Sequence, residues 1–254
     1  MPFALIGFFL GIKSLDRIPH VKVFEPWSLS VFSKTKLFFL GNSWIFILVI
    51  LCMIFARSAA MAFNRWLDKN FDAKNPRTAV REIPAGVINS NNALFFVIAN
   101  CLLFIACTFF INKICFYLSP VALFVVLFYS YTKRFTALCH LVLGVGLSLA
   151  PIGAYLAVTG QFAWLPILFS FSVLFWVSGF DIIYALQDEE FDKSNQLHSI
   201  PAALGKSKAL MVSNMLHVLS AACVIAAGAY GHFGWWYWIG VAFFCGLLIY
   251  QHTL

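Results

Sequence analysis

Long runs of uncharged apolar residues dominate this chain and limit what it can fold into. Of its 254 residues, 62% are hydrophobic and only 11% are charged. Soluble domains are nearer one half apolar and one quarter charged, so this chain is expected to insert into a membrane. The runs are continuous rather than alternating. Because a backbone in a bilayer must satisfy its own hydrogen bonds, they predict α-helices rather than a β-barrel.

The hydropathy pattern predicts about eight apolar segments with no linker between them. The first, residues 1–12, is too short to span a bilayer and lacks the basic start and cleavage site of a signal peptide. Charged breaks are predicted at 13–36, 64–90 and 188–206. The other segments lie at about 36–63, 91–112, 114–131, 136–158, 162–187, 207–229 and 233–250. We therefore expect a single all-α, multi-pass transmembrane domain over residues 1–254.

The basic residues predict the orientation of the chain. Loops after the second, fourth and sixth segments carry ten Lys and Arg residues, and the opposite loops carry six. By the positive-inside rule, the richer side, which also holds the acidic residues, faces the cytoplasm. The net charge of +7 fits such loops, and the sequence lacks the aromatic-interleaved basic stretches of nucleic-acid binders. The seven cysteines form no CxxC pair and predict neither a disulfide framework nor a zinc site.

Two acidic stretches stand where apolar segments leave the membrane. Their polar residues recur in steps of three or four, which places them on one helix face. The recurring residues are Asn64, Asp68 and Asp72, then Asp181, Tyr184, Asp188 and Asp192. Asp188 and Asp192 repeat Asp68 and Asp72 at a distance of 120 residues. This equal spacing predicts two similar halves.

Carboxylates one helical turn apart are suited to binding Mg²⁺. This ion keeps several waters and commonly bridges one or two carboxylates to substrate phosphates, so two such stretches predict a diphosphate site. Nearby cations would contact the phosphate oxygens. These cations are Arg65, Lys69, Arg77, Arg81, Lys133, Arg134 and Lys193. Solvated loop charges are the alternative, and they suit a lone Asp better than two matched stretches.

Arg57 and Asp181 lie deeper, inside apolar segments. Ionisable residues within spans are costly and usually face a polar interior. Arg57 precedes Asn64 by seven residues, which places it on the same face two turns deeper. Arg57 is expected either to bind a substrate carboxylate or to form a structural ion pair with another helix, and both options stay open. A lone helical His140 is more typical of a satisfied polar residue.

Taken together, these residues resemble the UbiA superfamily of intramembrane prenyltransferases. The resemblance rests on NRxxDxxxD from Asn64, DxxYxxxDxxxD from Asp181 and YxxxKRxT from Tyr129. The residues around Arg57, and the run from Lys74 to Thr78, point to its 4-hydroxybenzoate polyprenyltransferase branch. The resemblance implies nine transmembrane helices, in two similar halves around a central cavity. With about eight segments, this chain is expected to be truncated at both ends relative to the family.

The resemblance implies Mg²⁺-dependent transfer of a polyprenyl group from polyprenyl diphosphate to the ring of an aromatic acceptor, 4-hydroxybenzoate, in quinone biosynthesis. The implied catalytic residues, which also bind Mg²⁺ through the diphosphate, are Asp68, Asp72, Asp188 and Asp192. The implied substrate-binding residues are Asn64, Arg57, Arg77, Tyr129, Lys133, Arg134, Asp181, Tyr184 and Lys193. The implied location is the bacterial cytoplasmic membrane, with the active site facing the cytoplasm.

Several other functions remain as alternatives. Glu82 stands where many hydroxybenzoate enzymes carry Pro, a variant similar to members of menaquinone pathways that use a hydroxynaphthoate. CDP-alcohol phosphotransferases carry an Asp-Gly pair in their acidic motif, which this sequence lacks. A secondary transporter would place its charges near the bilayer midplane rather than at helix exits. A non-catalytic remnant of a prenyltransferase is the last alternative.

Overall fold

The computed structural model describes residues 2–15 and 31–252 of this chain. Regular secondary structure in this part is helical throughout, which confirms the predicted all-α class. The helices are α1 (Pro2–Ser14), α2 (Val31–Leu67), α3 (Lys69–Asp72), α4 (Ser90–Ile111), α5 (Lys113–Thr132), α6 (Cys139–Thr159), α7 (Trp164–Ala185), α8 (Glu189–Ser194), α9 (Ile200–Leu204), α10 (Lys206–Tyr230) and α11 (Trp235–Gln251). Most of the predicted break at 13–36, including Arg17 and Lys22, lies outside the described residues.

Within this described part, six helices are long and apolar enough to cross a bilayer. They are α2, α4, α5, α6, α7 with its continuation, and α10. The first and last predicted segments also form helices, α1 and α11, of 13 and 17 residues. At 1.5 Å per residue these are about 20 and 26 Å long, shorter than the roughly 30 Å hydrocarbon core. The eight predicted segments are therefore all helical, but two are shorter than a full span.

The chain forms two compact units. The first comprises Met1–Leu127 and Ala150–Pro166, and its core forms where α1 packs on α2 and α6 around the fully buried Phe8. The second comprises Phe128–Leu149 and Ile167–Leu254, and its core joins α7, α9 and α10. Each unit carries one of the two acidic stretches. The expectation of a single domain over residues 1–254 stays a prediction.

Helix α2 is longer than predicted and is kinked near its start. Asn42 interrupts it with φ −134° and ψ 25°. Gly41 and Asn42 are both poor helix formers, so the kink falls where local propensity is weakest. Beyond the kink the helix continues to Leu67, which brings the first acidic stretch to its end.

The predicted charged breaks contain short helices, which corrects the reading of both as plain loops. Helix α3 lies within the break at 64–90, and α8 and α9 lie within the break at 188–206. Ser199 caps α9, because its hydroxyl oxygen accepts a hydrogen bond from the Ala202 N–H at 3.3 Å. Pro201 stands in the first turn, where its missing N–H costs nothing. The polar composition of these breaks therefore did not predict the short helices α3, α8 and α9.

Candidate active site

The first acidic stretch runs across the end of α2 and is not one continuous helix. Asp68 separates α2 from α3, with φ −94° and ψ 8°. Hydrogen bonding nevertheless continues in steps of four. The Asp68 N–H donates to the Asn64 carbonyl at 2.9 Å, and the Asp72 N–H donates to the Asp68 carbonyl at 2.8 Å. The side-chain amide of Asn64 also donates to Oδ2 of Asp68 at 3.3 Å. The predicted four-residue spacing therefore survives the break.

Asp72 is the buried carboxylate of this stretch, and Arg81 neutralises it. Asp72 is only 6% exposed, and Nη1 of Arg81 lies 2.9 Å from each of its carboxylate oxygens. Residues 73–89 fold back through successive turns, and the Thr78 hydroxyl donates to the Asp72 carbonyl at 3.2 Å. The sequence predicts Arg81 as a cation for phosphate oxygens and did not indicate its pair with Asp72. Its offset of nine residues matches no helical period, so only the folded loop reveals the pair.

Glu82 is the other carboxylate of this loop. It forms an ion pair with Arg65. Hydrogen bonds from its own backbone N–H and from Arg65 hold the pKa of Glu82 below its ordinary value of 4.5. The residue that raised the hydroxynaphthoate alternative is thus engaged by a neighbouring side chain.

Two predicted substrate-binding cations of the first unit are exposed. Arg77 has its backbone N–H bonded to Oδ1 of Asn75 at 3.0 Å, which fixes the turn that carries it. Arg57 is exposed on α2, and within residues 2–15 and 31–252 it forms no ion pair. The described part therefore gives no support to a structural ion pair for Arg57. Its role as a carboxylate-binding residue stays a prediction.

The second acidic stretch follows the end of α7. Helix α7 ends at Ala185, the chain tightens into one 3₁₀ turn over Leu186–Asp188, and α8 begins at Glu189. A tighter last turn is common where a helix ends. Asp188 is 9% exposed and Asp192 is fully buried. The tightened turn thus places two carboxylates inside the protein rather than in a solvated loop.

Asp192 has the least satisfied carboxylate among the predicted site residues. Nζ of Lys133 lies 2.7 Å from its Oδ1. In the part of the chain that the structure describes, neither oxygen accepts a geometrically well-formed hydrogen bond. Lys133 is held by its own carbonyl, which accepts from the His198 N–H at 2.8 Å. Lys133 balances the charge of this buried carboxylate, but a buried carboxylate normally also accepts hydrogen bonds. Its oxygens therefore keep lone pairs for a donating ligand, such as a water held by a metal ion.

Asp181 is paired with His140, which is a satisfied polar residue as the sequence analysis expects, although the sequence did not indicate its partner. Nδ1 of His140 lies 2.6 Å from Oδ2 of Asp181. The imidazole is 3% exposed, whereas the Asp181 side chain is 31% exposed. The two residues lie 41 positions apart on α6 and α7, so no pattern along a single helix connects them.

The other predicted residues of the second unit lie nearer the surface. Lys193 is exposed on α8 and pairs with Glu189 at 2.7 Å. The Arg134 guanidinium lies 5.3 Å from the centre of the Tyr131 ring. Tyr184 is 45% exposed, and Tyr129 is half-buried near the end of α5.

The described residues do not bring three or more His, Cys, Asp or Glu side chains together as a closed metal cage. Mg²⁺ does not require one, because it keeps several waters and is commonly held by one or two carboxylates plus substrate phosphates. The ligand atoms present are hard carboxylate oxygens, and those of Asp192 accept no hydrogen bond within the described part. This chemistry fits a Mg²⁺ ion bridged through a substrate.

The helices of spanning length define an integral membrane protein. The chain belongs to the UbiA prenyltransferase family, whose model matches residues 30–254. This match confirms the resemblance seen in the sequence.

Individual relatives and solved structures are similar to this chain as well. A 4-hydroxybenzoate octaprenyltransferase from Francisella tularensis subsp. novicida (strain U112) is 29% identical over 189 residues, covering 74% of this chain and 66% of the relative, just under two thirds of its length. The apo structure of a UbiA homolog from Aeropyrum pernix K1 is 28% identical, with a TM-score of 0.82 over 99% of this chain and 86% of the other. A UbiA homolog from Archaeoglobus fulgidus bound to GPP and Mg²⁺ is 17% identical and shares the fold, with a TM-score of 0.69 over 99% and 83% of the two chains.

Proposed function

We propose that this chain transfers a polyprenyl group from a prenyl diphosphate to the ring of 4-hydroxybenzoate, with Mg²⁺ as its metal. Asp192 carries this proposal, because this fully buried carboxylate is paired with Lys133 and accepts no hydrogen bond among the described residues, which leaves its oxygens available to a metal-bound water. The name of the Francisella relative supports the acceptor. The Archaeoglobus homolog supports the donor class and the metal, since the same fold there holds GPP and Mg²⁺.

Four carboxylates would hold Mg²⁺ through the diphosphate, namely Asp68, Asp72, Asp188 and Asp192. When bound, Mg²⁺ neutralises the charge that develops on the departing diphosphate. The chain itself orients these carboxylates. Asn64 holds Asp68, Arg81 holds Asp72 and Lys133 holds Asp192.

The reaction breaks the allylic C–O bond, whose electron pair leaves with the diphosphate. A ring carbon of the acceptor supplies the electrons of the new C–C bond and then loses its proton. Lys133, Arg134, Arg77 and Lys193 are proposed to contact phosphate oxygens. Tyr129 and Tyr184 are proposed to face the allylic cation with their rings. Arg57 is proposed to receive the acceptor's carboxylate as a bidentate pair.

We place the enzyme in the bacterial cytoplasmic membrane, with its active site facing the cytoplasm and its product entering quinone biosynthesis. The excess of basic residues in the loops that carry the acidic stretches supports this orientation. Both substrates suit such a site, because one is lipid-soluble at its prenyl end and the other enters from water.

The test is an assay of membranes that contain the chain, with labelled geranyl diphosphate and with or without Mg²⁺. 4-Hydroxybenzoate and 1,4-dihydroxy-6-naphthoate are offered in parallel, and products are separated by chromatography. We expect a Mg²⁺-dependent prenylated hydroxybenzoate. Faster consumption of the naphthoate would overturn the acceptor assignment. Absence of product from both acceptors would overturn the proposed activity.

Variants locate the activity in the acidic stretches. Asp68→Ala and Asp188→Ala are expected to abolish turnover while the protein remains inserted in the membrane. Glu190→Ala is the matched control, because Glu190 is exposed beside the second stretch and outside its periodic set. Near-normal turnover in both Asp variants would refute the role of these carboxylates.

Arg57→Ala should raise the KM for the acceptor more than the KM for the donor. Equal effects on the two KM values would contradict the assigned role of Arg57.

A further inference from the structure

One buried imidazole joins three helices of the second unit. His140, near the start of α6, lies 2.6 Å through Nδ1 from Oδ2 of Asp181 on α7. Its other nitrogen, Nε2, accepts a hydrogen bond from the backbone N–H of Ile200 at 3.2 Å, at the first residue of α9. A 3% exposed ring with both nitrogens engaged has a defined orientation.

The hydrogen bonds also determine where the ring proton lies. Because the Ile200 N–H donates to Nε2, that nitrogen carries its lone pair and cannot hold a proton in this arrangement. The proton therefore lies on Nδ1 and is donated to the Asp181 carboxylate. Neutral His140 thus presents one fixed N–H to one oxygen of Asp181.

The remainder of Asp181 is left available. Its side chain is 31% exposed, and within the described residues its second oxygen, Oδ1, carries no hydrogen bond. On the protein side, the adjacent Ile182 packs with Ile200 in one buried cluster, which shields the His140 contacts from water. The carboxylate is therefore held through one oxygen, while its other oxygen is free to accept from a ligand.

We propose that His140 is a positioning residue that fixes the Asp181 carboxylate for substrate. The proposal rests on the proposed function, which assigns Asp181 to the substrate site. Orienting partners of functional ligands are typically worth about 10- to 100-fold in affinity or activity. Loss of the His140 contact is expected to fall in that range.

Two substitutions separate the two hydrogen bonds. The amide nitrogen of Asn reaches the place of Nδ1, so His140→Asn retains donation to Asp181 and loses the contact with Ile200. The amide of Gln reaches the place of Nε2, so His140→Gln retains acceptance from Ile200 and loses Asp181. His140→Phe loses both contacts at similar volume. We expect Asn to keep turnover near wild type, and Gln and Phe to lower it about 10- to 100-fold.

A double variant distinguishes positioning from general damage. If His140 acts through Asp181, His140→Phe should add little to the defect of Asp181→Asn, because coupled residues are not additive. His217→Asn is the matched control. His217 is also buried in the second unit, but it contacts His252 and the Trp176 carbonyl rather than an acidic stretch. It should shift the thermal midpoint with less than a threefold effect on turnover.

A readout that does not depend on turnover is the rise in thermal midpoint on adding Mg²⁺ and inorganic diphosphate to the detergent-solubilised full chain. We expect His140→Asn to retain this rise, and His140→Gln and His140→Phe to reduce it. Equal behaviour of the Asn and Gln variants, or full additivity with Asp181→Asn, would overturn the proposal. If wild type shows the thermal shift but yields no prenylated product, the proposed function fails while the comparison of variants still decides the role of His140.

Discussion

The ion pair between Lys133 and Asp192 offers a direct test of how the second acidic stretch is stabilised. Lys133→Met removes the cation and leaves a carboxylate that is fully buried, with neither oxygen hydrogen bonded among the described residues. Asp192→Leu combined with Lys133→Met removes both charges and fills the space with apolar groups of similar size. The comparison separates the cost of a lone buried charge from the net contribution of the pair.

The expected magnitude follows from burial. Breaking a buried ion pair by removing one partner typically costs about 3–5 kcal/mol, whereas replacing both partners with apolar residues is often neutral. The Lys133 side chain is 34% exposed, so water partly compensates and the lower end, about 3 kcal/mol, applies to Lys133→Met. For a chain of this size that loss lowers the thermal midpoint by about 6–12 °C. The double variant should lie within about 1 kcal/mol of wild type.

The assay is thermal unfolding of each purified variant in the same detergent, followed by tryptophan fluorescence. Lys193→Met is the matched control, because its exposed pair with Glu189 is an i,i+4 surface contact and should contribute less than about 0.5 kcal/mol. Equal midpoints for Lys133→Met and the double variant would refute the reasoning, because they would show that Asp192 does not depend on Lys133.

Three further predictions concern the first unit. Arg81→Gln should lower stability by about 1.5–3 kcal/mol, the range for hydrogen bonds to a charged group, because Arg81 is bonded to both oxygens of Asp72; an unchanged unfolding midpoint would contradict this. Because folding lowers the pKa of Glu82, its contribution to folding stability is complete above pH 4.5 and is lost as the pH falls through the folded-state pKa. In Glu82→Gln the unfolding midpoint should therefore fall less steeply with acidification than in wild type. An equally steep fall in both would contradict this prediction. Gly7→Ala should destabilise the protein by about 1–3 kcal/mol through overpacking, since its Cβ would lie 1.8 Å from the Pro151 carbonyl oxygen. Gly153→Ala is the control, because a Cβ at Gly153 would meet open space. Equal unfolding midpoints for the two variants would show that α1 does not pack against Pro151.

Features that depend on the spacing of residues along a single helix could be predicted from the sequence alone. Continuous apolar runs predicted the helices, because a bilayer leaves the backbone no other way to satisfy its hydrogen bonds. The four-residue step from Asn64 to Asp68 and Asp72 predicted a shared face, and the backbone hydrogen bonds keep that step even though α2 ends at Leu67. Family membership followed from the same local motifs.

The sequence did not predict which side chains from different elements pair with each other. Asp72 with Arg81, Asp181 with His140 and Asp192 with Lys133 are separated by nine, 41 and 59 positions. None of these separations reflects a helical period. Whether a carboxylate is buried, and which cation faces it, depends on how loops fold back and helices pack. The sequence alone determined a membrane-embedded helical chain with two acidic helix ends. The tertiary structure decided which charges are buried and which side chain neutralises each of them. The reason is that burial and pairing arise from packing between elements rather than from the spacing of residues along one element.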